Sequence, residues 1–198
     1  MTNPVFTADL NLDNITYNTD TVGNIAIKVN NQTANVFDAD VAITGNENDI
    51  RLTGKYFTGE GKMDLLLAVN NFNMAVLKAV SNGAVTSSAG SLKGKVDIKG
   101  TTSQPDINGN LSFVNTDITP AATGEKLHLS DESIVVVSSQ GIRFNQFTLQ
   151  DSAGSKAILD GDIATTDFTS YSFDLTLKAN DFQVINSVKK QNALYYGR

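Results

Sequence analysis

Few residues in this chain have catalytic or metal-binding potential. His128 is the only histidine, and it stands between Leu127 and Leu129 in an alternating pattern that predicts a solvent-facing position on a strand. A Ser-His-Asp triad or an imidazole metal site would depend on this single ring. The chain has no cysteine, which excludes a disulfide framework, a thiol nucleophile and a thiolate metal site.

The acidic residues are scattered along the chain. Asp160-Gly161-Asp162 and Asp38-x-Asp40 look like fragments of a calcium-binding loop, but they lack its full ligand spacing. The glycine-rich stretches lack the Lys-Ser/Thr ending of a phosphate-binding loop. We therefore predict that the protein is not an enzyme and that it uses no metal ion and no cofactor.

Composition narrows the class of protein and its partners. The net charge is -6 and the calculated pI is about 4.6. No basic cluster is present, which argues against a nucleic-acid partner and against docking on anionic headgroups. Charged residues make up only 18% of the chain. Valine, isoleucine, leucine and threonine are frequent and glycines separate short apolar runs, so an all-β fold is predicted.

The clearest structural pattern lies between Gly90 and Phe113. Two short segments alternate apolar residues or glycine with polar residues, at 92–98 and at 107–113, and a polar turn joins them. This period of two is typical of a strand with one apolar face and one polar face. A one-residue change of phase between Phe144 and Phe147 predicts a β-bulge near Asn145.

Two segments break the alternation and predict short helices, Asn70 to Val80 and Asn180 to Val188. Residues 63–72 match residues 173–182 in type and order, which indicates an internal repeat. We predict two β repeats, 1–80 and 81–198, each ending in a short helix and together forming one continuous β structure. We interpret the chain as a piece of a longer protein, with the second repeat truncated at its C-terminus.

Two architectures explain the alternating apolar residues. A closed β-sandwich would bury them as an ordinary core, and periodicity alone favours this architecture. An open sheet curled into a trough would instead leave its apolar face free to hold acyl chains. Alternation cannot separate the two, because both remove one face from water.

The order and spacing of several segments resemble the repeating segments of TamB-like proteins. These segments are Gly90-x-Leu92-x-Gly94-x-Val96-x-Ile98-x-Gly100-Thr101, Pro105-x-Ile107-x-Gly109-x-Leu111-x-Phe113, the stretch from Phe144 to Gly154, Leu159-x-Gly161-x-Ile163, Phe173 to Phe182, and Tyr195-Tyr196-Gly197. TamB-like proteins belong with the AsmA-type, bridge-like lipid carriers. The resemblance covers roughly half of the chain, from about Gly90 to its end.

The resemblance implies an elongated antiparallel sheet curled into an open half-pipe, or β-taco, with one or two short helices. It also implies that this chain is the periplasmic portion of a protein that is anchored in the inner membrane of a Gram-negative cell. The function implied is carriage of phospholipid towards the outer membrane and support of outer-membrane protein assembly. The implied partners are phospholipid acyl chains, a TamA or BamA-like outer-membrane barrel, and neighbouring β repeats of the same chain.

The resemblance carries no catalytic residues, and we interpret this chain as a piece without the membrane anchor and without the C-terminal part thought to meet the barrel. The alternative function is a structural or adhesive β-sandwich module of a bacterial surface protein. As lipid-facing trough residues we predict Met63, Leu65, Leu67, Val69, Val96, Ile98, Leu111, Phe113, Phe144, Phe173, Leu175 and Leu177. As residues of a helical plug we predict Phe72, Val76, Leu77, Phe182 and Ile185.

Overall fold

The computed structural model describes residues 5–17, 20–165 and 169–186, and its strands form one antiparallel sheet. The elements are β1 (Thr7–Tyr17), β2 (Asp20–Asn30), β3 (Val36–Gly45), β4 (Asn48–Phe57), β5 (Lys62–Asn73), α1 (Val76–Val80), β6 (Val85–Thr101), β7 (Pro105–Pro120), β8 (Leu127–Leu129), β9 (Ile134–Ser138), β10 (Gly141–Gln150), β11 (Lys156–Thr165) and β12 (Tyr171–Ala179). Strands follow one another in chain order, except that β8 and β9 share the position between β7 and β10.

The sheet is open, because β1 and β12 each pair with one strand only among the described residues. The prediction of an all-β, open and curled sheet is thus confirmed. The described strands do not divide into two packed sheets, so the sandwich architecture is not what this sequence forms. In the part of the chain that the structure describes, no helix has the length and apolar character needed to cross a membrane.

Bulges give the sheet its curvature. The predicted bulge near Asn145 is confirmed by a register shift between Phe144 and Phe147. Gln146 has a left-handed φ of 49°, and its N–H donates to Asp160 Oδ1 at 2.7 Å. The same device recurs at Asn14, whose N–H donates to Asn24 Oδ1 at 2.8 Å. An inserted residue increases local twist and bends its strand, so repeated bulges curl a sheet.

The ends of the strands form two different rims. We call the rim that holds α1, the loop 121–126, the turn 151–155 and residues 182–186 the helix rim, and the opposite one the turn rim. Hydrogen bonds link successive connections along the helix rim. Asn48 Nδ2 donates to the carbonyl of Val22 at 2.8 Å, and Ala121 N–H donates to that of Ala84 at 2.9 Å.

One of the two predicted helices is present but shorter than predicted, and the other does not form in the described residues. β5 continues to Asn73, so Phe72 lies on a strand opposite Leu92, and α1 covers only Val76–Val80. Residues 180–186 contain no helix, and 187–188 lie outside the described residues. In both places backbone groups have partners elsewhere in the sheet. Met74 N–H, for example, donates to the carbonyl of Gly90 at 2.9 Å.

Candidate functional site

The apolar face of the sheet carries all twelve of the predicted trough residues. Paired residues of antiparallel strands project to the same face, so the register alone fixes this placement. Leu67 pairs with Val96, and Leu65 pairs with Ile98. One row of paired positions crosses the sheet from β5 to β12 through Val69, Gly94, Leu111, Val135, Phe144, Gly161 and Leu175.

Coverage of this face falls towards the β12 edge. Val69 and Val96 are buried, and Met63, Leu65 and Leu111 are half-buried. On β12, in contrast, the exposed fractions of Phe173, Leu175 and Leu177 are 70%, 40% and 46%. The face is therefore apolar from strand to strand, but its side chains differ in exposed fraction. Its β12 edge is open to solvent or to a ligand.

An aromatic cluster on this face was only partly predicted. The ring centroid of Phe147 lies 5.7 Å from that of Phe113 and 5.5 Å from that of Phe144, both at near-perpendicular angles. Phe147 packs with the buried Leu129 and Val135. None of these three was among the predicted trough residues, although the change of phase at the bulge returns Phe147 to the apolar face. The cluster fills this part of the face with the protein's own side chains.

The apolar residues of β2, β3 and β4 lie on the same face, although they were not among the predicted trough residues. Their alternation is the same as that of β5, and the register joins them to it: Ile50 pairs with Val69 and Leu52 with Leu67. The apolar face therefore extends through these strands as Ile25, Ile27, Ile43, Val41, Ile50 and Leu52.

Glycines interrupt the apolar face where strands approach each other closely. A Cβ on Gly161 would lie 2.0 Å from the carbonyl oxygen of Asp174, and one on Gly94 would lie 2.1 Å from that of Asn110. Both have positive φ, 124° and 153°, so a side chain is disfavoured by conformation and by space. These positions allow strong coiling of the strands, and they leave depressions in the apolar surface beside large side chains such as those of Leu111 and Leu175.

The predicted plug residues divide between three elements, all towards the helix rim. Phe72 is half-buried on β5, while Val76 is buried and Leu77 half-buried on α1. α1 lies near β6, the strand that it leads into, and near β2, which is three strands away from β5 in the sheet. Phe182 and Ile185 are half-buried in the extended segment that follows β12.

The polar face holds the acids that resembled calcium-loop fragments. Asp38 pairs with Lys55 at 3.5 Å, Asp40 pairs with Arg51, and Asp162 pairs with Arg143 at 2.7 Å. The hydrogen bond from Arg51 lowers the pKa of Asp40. No group of three or more His, Cys, Asp or Glu residues suited to a metal ion occurs among the described residues. Asp38, Asp40 and Asp162 thus form cross-strand ion pairs, and Asp160 instead accepts the N–H of Gln146.

His128 also belongs to the polar face. Its Nδ1 lies 2.9 Å from Asp117 Oδ1, and Lys126 Nζ lies 2.6 Å from the other oxygen of that carboxylate. Burial raises the pKa of Asp117, but hydrogen bonds from Lys126 and His128 outweigh burial, so the pKa lies below its usual value. The histidine is half-exposed and takes part in a surface ion network.

A family model described as TamB, the TamB C-terminal domain, matches residues 44–148, which is more than half of the chain. No curated protein and no solved structure is significantly similar to this chain. The matched range runs from the end of β3 to β10 and includes α1 and most of the apolar face. The chain therefore belongs to the TamB family of non-enzymatic cell-envelope proteins.

Proposed function

We propose that the apolar face of this TamB-family domain carries phospholipid acyl chains between the inner and outer membranes. The observation that carries the proposal is the exposure of a continuous apolar face at the β12 edge, where Phe173 is 70% exposed. Exposed apolar surface costs about 25 cal/mol per Å² in water. Acyl chains would remove this cost without competing for the hydrogen bonds of the sheet, because those bonds run between strands.

In the full-length protein the domain would be a periplasmic, non-catalytic segment of a bridge anchored in the inner membrane. Its neighbouring β repeats would continue the wall, and the protein would support outer-membrane protein assembly with a TamA or BamA-like barrel. The division into repeats 1–80 and 81–198 remains part of this proposal. α1, with Val76 and Leu77, would limit movement of lipid past the helix rim.

The exposed residues of β12 allow a test that is separate from folding. Phe173→Asp and Leu175→Asp place a charge on the apolar face at positions that contribute little core packing. Ser172→Asp makes the same change on the polar face of the same strand, opposite Ala164, and serves as the matched control. We expect native mass spectrometry and lipid extraction to find phospholipid on the parent protein and on the Ser172 variant, with clear loss from the other two.

Two results would contradict the proposal. The first is a folded parent protein that carries no lipid and takes up none from phospholipid vesicles. The second is equal lipid loading of all variants, which would place the lipid away from this face. Either result would favour the structural or adhesive module, in which the apolar face serves only as packing surface.

A further inference from the structure

The segment that follows β12 returns across the helix rim. We call residues 182–186 the strap. Asp181 has a left-handed φ of 51° and reverses the chain. Gln183 N–H then donates to Asp151 Oδ2 at 2.8 Å, and Asn186 N–H donates to the carbonyl of Thr123 at 2.8 Å. Since Asp151 follows β10 and Thr123 follows β7, the strap crosses from the edge strand towards the middle of the sheet.

The anchor of the strap is a buried polar unit. Asp151 is 5% exposed, and its Oδ1 accepts N–H groups of Ala153 and Ser155 at 2.9 and 2.8 Å. Its two oxygens therefore have separate roles, Oδ1 in the 151–155 turn and Oδ2 on the strap. Glu125 is fully buried, and its Oε1 accepts the N–H of Ser152 at 2.8 Å, which joins this turn to the 121–126 loop.

Apolar-face residues near the anchors of the strap are buried. Ala157, two residues after the 151–155 turn, is 0% exposed, and Leu129 of β8 is 7% exposed. On β12, Leu177 faces the same side and is 46% exposed. A single sheet layer cannot cover its own face to this extent without curling or an added segment. Phe182 and Ile185 of the strap are half-buried at this rim.

We propose that the strap is a displaceable lid on the helix-rim part of the apolar face. It occupies space that an acyl chain fills when the strap moves away. This inference rests on the proposed lipid-carrying function and adds a regulatory contact to it. The strap is suited to release, because within the part of the chain that the structure describes two backbone N–H groups, those of Gln183 and Asn186, tie it to the turn and the loop of the helix rim.

Asp151→Asn separates the two roles of this side chain. The amide oxygen can keep the turn contacts of Oδ1, while the NH₂ group at the Oδ2 position faces the Gln183 N–H and removes the anchor. Gln183→Pro removes the donor itself and leaves Asp151 intact, so it provides a second, independent variant. Asp162→Asn, a surface carboxylate paired with Arg143 on the polar face, is the control for loss of one charge.

Two measurements on the 198-residue protein test the lid. Hydrogen exchange followed by mass spectrometry reports the opening of residues 182–186, and fluorescence titration with cis-parinaric acid reports acyl-chain binding. We expect faster exchange of the strap in both anchor variants but not in the Asp162 control. If the lid is closed about nine-tenths of the time, its release lowers the apparent Kd about tenfold.

The outcomes distinguish the lid from the proposed function. Faster exchange with unchanged probe binding would overturn the lid and leave lipid binding standing. Unchanged exchange in both anchor variants would overturn it as well, because the two contacts would not hold the strap. A protein that binds no probe with or without its anchor would overturn the lid together with the lipid-carrying function.

Discussion

At the scale of single residues, the backbone of the next strand determines where glycine is required. Gly161→Ala would place a Cβ 2.0 Å from the Asp174 carbonyl oxygen at a φ of 124°. We expect a loss of about 1–3 kcal/mol in the free energy of unfolding, because β11 or β12 must shift. Urea denaturation measures the loss. Gly59→Ala is the control, since a Cβ there meets no atom within 4 Å, and equal effects of the two changes would contradict this account.

A second residue-scale prediction concerns the bulge of β10. The N–H of Gln146 is held by Asp160 Oδ1 rather than by the ladder of strand hydrogen bonds. Asp160→Ala removes the acceptor and should lower the free energy of unfolding by about 1 kcal/mol. Asp160→Asn keeps an acceptor oxygen and should have a smaller effect in the same denaturation assay. Equal losses for Asn and Ala would show that the charge of Asp160 matters rather than its hydrogen bond to Gln146.

At the scale of elements, the sequence predicts faces better than boundaries. Alternation assigns Leu65 and Leu175 to an apolar face, and antiparallel pairing must then bring such residues together. Phe72 and Phe182 could not be assigned in this way. Their segments contain apolar residues at spacings that suit either a helix or an irregular strand end. The choice depends on distant groups, Gly90 for one and Asp151 and Thr123 for the other.

The ion pairs on the polar face give an element-scale prediction. Asp38, Lys55, Asp64, Lys99 and Asp106 occupy paired positions on β3 to β7 and alternate in charge. Asp64→Lys would place three lysines side by side. We expect a loss of about 0.5–1 kcal/mol at low ionic strength that shrinks in high salt, because these groups are exposed and screened. Asp64→Asn is the control, and a salt-independent loss would point to packing.

At the scale of the whole molecule, the sheet has two unlike rims and two edge strands, β1 and β12, each of which pairs on one side only within the described ranges. The helix rim combines α1, two polar connections and the strap, while the turn rim consists of strand connections. The position shared by β8 and β9 could not be predicted. There the backbone N–H groups of Asn115 and Thr148 donate to the side chains of Asp131 and Ser133 instead of to a neighbouring strand. Such hydrogen bonds join residues far apart in sequence, and alternation carries no information about them.

The acid stability of the whole molecule follows from its carboxylates. The pKa values of Asp40, Glu60, Asp117 and Asp151 all lie below their usual values, for Asp151 chiefly because of the hydrogen bond from the Gln183 backbone. A carboxyl group with a lowered pKa in the folded state adds stability above its unfolded pKa, about 3.8 for Asp. That stability is lost as the pH falls through the folded value. Urea midpoints should therefore change little between about pH 5 and 7 and fall below about pH 4.

Comparison of Asp151→Asn with the parent protein measures how much the contact between Asp151 and Gln183 contributes to this acid sensitivity. The variant should be less stable than the parent protein near pH 7, where the parent carboxylate is ionised and accepts the Gln183 N–H. The difference should shrink as the pH falls below 3.8, the usual pKa of Asp, since protonation of the parent group weakens the same contact. Urea midpoints for both proteins at pH 7, 5, 4 and 3 test this expectation. A difference that stays constant over this range would mean that the contact does not depend on the charge of Asp151.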